Sequence, residues 1–170
     1  MEAASQALIA PNGLDEIVKM FGNIYDYIHP DGQLDPQWEA DCLALVALPF
    51  PLPLPLSWDH SKSVTQFLCH KHLTGILGDV FGAVQARGLR AKIHSFGGCF
   101  AFRPQRTGVR LSTHSWGIAI DLNPESNGQG SVGDMDARVI EIFRSAGFTW
   151  GGDWSGKSRD PMHFQFCTGY

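Results

Sequence analysis

Ile118-Ala-Ile-Asp-Leu-Asn123 alternates large apolar residues with small or polar ones, and Met162-His-Phe-Gln-Phe-Cys167 repeats that alternation. A period of two is that of a β-strand, whose successive side chains point to opposite faces. In the first stretch Ile118, Ile120 and Leu122 share one face, while Gly117, Ala119 and Asp121 share the other. In the second, Met162, Phe164 and Phe166 oppose His163 and Gln165. Two neighbouring strands with these patterns would bury their large faces in one core. They would also bring Asp121 and His163 together on the opposite side. His114, in the loop entering the first strand, can complete a set of two imidazoles and a carboxylate.

A divalent zinc ion accepts such a set and keeps one position for water. Gly117 and Ala119 beside Asp121 are read as leaving room for an ion and a substrate. Asp160 is out of step with His163 on a strand, so it belongs to the preceding loop or to a bulge, and Pro161 fits a strand start or an edge. There a carboxylate can serve as general base on water. A lone histidine near a strand is more often structural than a ligand, but three ligand types with small neighbours outweigh that reading.

The cluster Cys69-His-Lys-His72 falls inside a run with helical spacing. Residues two apart on a helix do not face each other, so His70 and His72 are expected on the helix surface and in part of the core, not on an ion. His29, His60 and His94 lack partner spacing and are read as structural or exposed.

Working outward, residues 14–21 read as a short helix stopped by Gly22. Asp31-Gly32 is a turn, and the run from Cys42 to Phe50 fits either a strand or a short helix. Prolines 49, 51, 53 and 55 alternate with Phe50, Leu52 and Leu54, which predicts an extended edge or strap laid across the core. From Ser61 to Arg87 the apolar positions 64, 67, 68, 73, 76, 77, 80, 81 and 84 predict a helix closed by Gly88. Lys92 to Phe96 then reads as a short strand entering a Gly97-Gly98 turn. Asp134 or Asp136 is expected to cap a further helix, with Val139, Ile142, Phe143 and Ala146 inward and Gly147 at its end.

The 170 residues fit one structural domain, with residues 1–60 as an N-terminal extension on a core of residues 61–170. Apolar residues at 44%, charged residues at 18% and a net charge of −4 describe an ordinary globular chain and argue against nucleic acid or an anionic membrane as partner. Cys42, Cys69, Cys99 and Cys167 are scattered and read as free, mostly buried thiols. The first residues lack a basic start and a long apolar run, and no window holds about 18 uninterrupted apolar residues. A chain made in the cytoplasm without a secretory signal, with no membrane insertion, is therefore expected. A monomer is also expected.

Ser112-Thr-His-Ser-Trp-Gly-Ile-Ala-Ile-Asp121 resembles the Ser-x-His-x-x-Gly-x-Ala-x-Asp motif of M15 zinc peptidases. Trp150-Gly-Gly-Asp-Trp154, followed by Asp160-Pro-Met-His-Phe164, resembles the C-terminal signature of that family's L-alanyl-D-glutamate endopeptidase branch, which includes phage endolysins. Gly97-Gly-Cys-Phe-Ala-Phe-Arg103 resembles the family segment carrying an active-site arginine. The resemblance spans about residues 61–167. It implies an α+β fold in which an antiparallel sheet carries the metal and helices pack behind it.

By the same resemblance His114, Asp121 and His163 would hold Zn2+, Asp160 would be the base, and Arg103 would stabilise the transition state. Arg106 is the second choice for that arginine, or a site for a substrate carboxylate. Trp116, Trp150 and Trp154 are candidates for the cleft wall, and each fits the core equally well. The implied substrate is the peptidoglycan stem peptide, cut between L-alanine and D-glutamate. The dipeptidase relatives carry glutamate where this chain has Asp160, which favours the endopeptidase branch. The rivals are a D-Ala-D-Ala carboxypeptidase or dipeptidase, and a non-catalytic zinc-containing binding module of the same fold. A wall substrate combined with the expected absence of a signal suits a phage lysis protein released by a pore, a virion component or a secreted effector.

Overall fold

A computed structural model describes residues 8–106 and 108–170. The first helix, α1 (Gly13–Phe21), turns Ile17 and Phe21 inward. It stops at Gly22, whose φ of +97° lets its N–H reach back to Val18 O at 2.9 Å. A short helix α2 (Gln37–Cys42) runs into strand β1 (Leu43–Ala47). Strands β2 (Leu54–Leu56), β3 (Asp59–Val64) and β4 (Gln66–His70) precede helix α3 (Thr74–Ala86). Then come β5 (Phe96–Gly98), β6 (Ala119–Leu122), α4 (Ala137–Ser145), β7 (Thr149–Trp150) and β8 (His163–Gln165).

The architecture is α+β. One sheet pairs β1 with β4, and a second runs in the order β3-β2-β5-β6-β8-β7. Its pairs are antiparallel except β2 with β5, which meet in parallel at Leu56 and Phe96. The two alternating stretches are neighbours, with Ala119 opposite Gln165, Ile120 opposite Phe164 and Asp121 opposite His163. Their apolar face packs on helices: Phe164 stacks on Phe143 of α4 at 4.1 Å, and Phe143 meets Phe81 of α3 edge-on at 6.0 Å. Such pairs add about 0.5–1.5 kcal/mol each beyond the area they bury. Ile17, Phe21, Ile24 and Trp38 join the same core, and position 60 lies within β3.

Helix α4 is capped by Asp136, whose carboxylate accepts the Arg138 N–H, and it buries Val139, Ile140, Ile142 and Phe143. The four cysteines are free, three of them buried.

Three expectations are corrected. The helix predicted from Ser61 begins only at Thr74, because residues 59–64 and 66–70 are strands. Positions 64, 67 and 68 mimic helical spacing, yet Phe67 and Cys69 are buried while Gln66 is exposed, as on a strand. Register with β1 from Leu43↔His70 to Ala47↔Gln66 satisfies this backbone. The proline-rich stretch buries Leu54 but leaves Leu52 71% exposed, so it is only partly a strap. Its strand β2 is internal and β3 is the edge; Pro55 is accommodated by a register shift beside Leu56. Finally, residues 90–92 form a single helical turn, and Gly97 and Gly98 belong to β5 instead of to a turn.

Candidate metal centre

His114 sits in a tight helical turn, Thr113–Trp116, capped by Ser112, whose hydroxyl accepts the His114 N–H. Gly117 ends that turn at φ +70°, a left-handed conformation that favours glycine. A Cβ there would lie 2.8 Å from the His70 backbone nitrogen, which donates to Gly117 O at 2.8 Å. Gly117 is therefore small because β4 crosses it, not because an ion needs the space. The glycine that makes room for the carboxylate is Gly97, where a Cβ would stand 2.8 Å from Asp121 Cβ.

The three side chains meet. His163 Nδ1 lies 2.9 Å from Asp121 Oδ1, His114 Nε2 lies 3.2 Å from Asp121 Oδ2, and the imidazole rings are 5.0 Å apart. One ligand atom from each falls within 4.8 Å of the others, and all three residues are buried. His114 Nδ1–H donates to Cys99 O at 2.7 Å, so the neutral ring turns its Nε2 lone pair toward Asp121. Among the described residues that Nε2, which is buried, has no hydrogen-bond partner. A buried, unpartnered ring nitrogen facing a carboxylate is costly by itself and suits a cation between them. The donor set, two imidazoles and one carboxylate, is the kind zinc accepts.

Burial opposes ionisation of Asp121, but the adjacent His114 and His163 side chains prevail and hold its carboxyl well below the usual range. For His163 burial again works against the charge, and the hydrogen bond and charge of Asp121 outweigh it, raising the pKa.

A cleft of about 340 Å³ opens over this cluster, and Arg103, Arg106, Trp154, Asp160, Met162 and Tyr170 line it. Asp160 lies in the loop before β8. Its N–H donates to Gly151 O at 2.9 Å and its carbonyl accepts the His163 N–H at 3.0 Å. Oδ1 is buried and has no hydrogen-bond partner among the described residues. Burial, helped by the charge of Asp121, raises its pKa from 3.8 to about 6, against the opposing pull of His163 and Arg106. The irregular segment carrying Arg103 is stitched to the His114 turn by Ala101 N–H to His114 O at 3.1 Å and Ser112 N–H to Arg103 O at 2.9 Å. Among the described residues neither Arg103 nor Arg106 forms an ion pair.

The tryptophans divide. Trp154 lines the cleft with its ring 5.5 Å from that of His163. Trp116 is 0% exposed in the core, with Nε1–H donating to Gly22 O at 3.1 Å, so it does not wall the cleft. Trp150 packs against the core and donates Nε1–H to Pro161 O at 2.8 Å, bracing the Asp160 loop from behind. Gly152 gives that indole its space, and a Cβ on Gly151 would collide with Asp160 O.

His70 and His72 are not metal ligands, though not for the helical reason. Their rings touch at 4.8 Å, but His70 Nε2 bonds Phe21 O, its Nδ1 accepts the His72 N–H, and His72 Nδ1 bonds Met20 O. Burial lowers the His70 pKa to about 4. Met162, expected on the core face, is buried but faces the cleft. Thr113, Gln165 and Tyr170 were not singled out by the sequence. Only Gln165 carried a signal, its place on the His163 side of β8.

Residues 105–166 match the M15 peptidase family model described as D-alanyl-D-alanine carboxypeptidase. The matched span contains His114, Asp121, Asp160 and His163, and it stops short of Arg103. The match supports an M15-type peptidase, and the buried His-Asp-His cluster at its centre could hold the metal such enzymes use. Among the described residues no helix is long and apolar enough to cross a membrane.

Proposed function

We propose that this chain is a zinc-dependent peptidoglycan peptidase that hydrolyses the stem peptide between L-alanine and D-glutamate. The observation that carries the reading is the convergence of His114 Nε2, Asp121 and His163 at the floor of a cleft on which Asp160 presents a buried, unpartnered carboxylate oxygen. His114, Asp121 and His163 would hold the ion. When bound, zinc supplies Lewis acidity, polarising a peptide carbonyl and making water nucleophilic near neutral pH.

The chain's own groups do the rest. Asp160, with a pKa of about 6, is ionised at neutral pH yet close enough to it to accept a proton from the attacking water and return it to the leaving amine. Arg103 and Arg106 offer guanidinium donors to the developing oxyanion or to a substrate carboxylate. Trp154 covers the His163 side of the cleft and limits access of bulk water.

The alternative bond, at the D-Ala-D-Ala end of the stem peptide, is favoured by the description of the matching family model. A non-catalytic module is disfavoured, because an unpartnered buried carboxylate costs stability that a purely structural metal site does not need. The same reading has the chain act on the cell wall, as a phage lysis protein or a released effector. Two synthetic stem peptides, one ending in D-Ala-D-Ala and one truncated after D-glutamate, test the bond. Release of L-alanine from the truncated peptide supports the endopeptidase. Release of D-alanine alone, from the full peptide, replaces it with the carboxypeptidase.

A further inference from the structure

Gln165 follows His163 by two residues on β8, so the two side chains leave the strand on the same face. Its Oε1 lies 3.0 Å from His163 Nε2. The Thr113 hydroxyl donates to the same Oε1 at 3.2 Å and stands 3.5 Å from His163 Nε2. All three residues are buried, Gln165 at 4% exposure. An amide oxygen accepts and cannot donate, so the imidazole nitrogen facing it must carry the proton. The other nitrogen, Nδ1, is the one 2.9 Å from Asp121 Oδ1.

We propose that Gln165 is a positioning residue that fixes the tautomer of His163, keeping the proton on Nε2 so that Nδ1 turns its lone pair toward Asp121 and His114. The inference rests on the metal-site reading above and extends it to a residue outside the proposed ligand set, on the lining of the same cleft. Thr113 completes the arrangement. Its hydroxyl donates to the same Gln165 Oε1 that faces the ring. His114 is held in the complementary way, its Nδ1–H on the Cys99 carbonyl. The two histidines thus present opposite ring nitrogens to one carboxylate, each oriented by a neutral acceptor behind it.

Two variants and one spectrum test this. Gln165→Leu keeps the volume and removes the acceptor; Gln165→Glu keeps an acceptor. Zinc affinity is read by competition with a chromophoric chelator. Gln165→Leu is expected to bind zinc about 10- to 100-fold more weakly, while Gln165→Glu stays within a few-fold of the unsubstituted chain or binds more tightly. In the metal-free, unsubstituted chain, long-range 1H–15N spectra at a pH where the ring is neutral should show the His163 proton on Nε2. Unchanged zinc affinity in a folded Gln165→Leu, or a proton on Nδ1, overturns the proposal. Should Gln165→Leu not fold, the spectrum and Gln165→Glu still decide. If the unsubstituted chain bound no zinc, the metal-site reading would fall, while the spectrum would still rule on Gln165.

Discussion

Asp121 and His163 face each other in register across β6 and β8, with Nδ1 of the imidazole 2.9 Å from Oδ1 of the carboxylate. The pairing follows from strand parity. With Ile120 and Phe164 both turned into the core, their neighbours Asp121 and His163 must emerge together on the other face. The hydrophobic core and the candidate metal centre are the two sides of one strand pair, and a one-residue slip of β8 would destroy both.

Asp160→Asn should reduce turnover by about 10²- to 10⁴-fold while leaving zinc binding intact and the melting temperature unchanged or raised. Isothermal titration with zinc and a peptide-release assay measure the two effects separately. Lost zinc binding would show that Asp160 shapes the metal site instead of moving protons.

The pH profile follows from the same carboxyl. Burial raises its pKa from 3.8 to about 6, and a general base works only when ionised. Activity should therefore rise as pH increases through about 6, and an acid limb centred near 4 would contradict the assignment. Asp160→Asn should flatten that limb in whatever activity survives.

Two glycines should fail in different ways. Gly117→Ala forces a side chain onto φ +70° and against the β4 backbone, so it should cost about 1 kcal/mol or more of stability. Gly97→Ala pushes directly on Asp121, so its zinc affinity should fall by more than its stability. Thermal melts and chelator competition on both variants distinguish the outcomes. Equal loss in both measurements for Gly97→Ala would contradict its assigned role.

The tryptophans offer a further contrast. Trp116→Ala removes a fully buried indole and should cost about 3–5 kcal/mol, lowering the melting temperature. Trp154→Ala should leave the melting temperature nearly unchanged and lower kcat/KM. The reverse pattern would show the cleft to be drawn wrongly.

What the sequence made legible was governed by local periodicity. The alternation at 118–123 and 162–167 located both strands of the site, and Asp134 or Asp136 with Gly147 bounded α4, the structure selecting Asp136 as the cap. What it concealed depended on distant partners. Val64, Phe67 and Leu68 fit helical spacing, and only the ladders to β2 and β1 make that region extended. Gly97 read as a turn because nothing local reveals that Asp121 leans on it. Trp150 looked like a wall, whereas its indole nitrogen holds Pro161. The Cys99 carbonyl that orients His114 is backbone, which side-chain patterns do not report.

The most direct test of the central claim is mass spectrometry of purified peptidoglycan digested by the zinc-loaded chain, with and without a chelator. The account predicts new N-termini at D-glutamate, abolished by the chelator and restored by added zinc. Intact stem peptides after digestion by a folded, zinc-loaded chain, or cleavage that persists undiminished in the chelator, would contradict it.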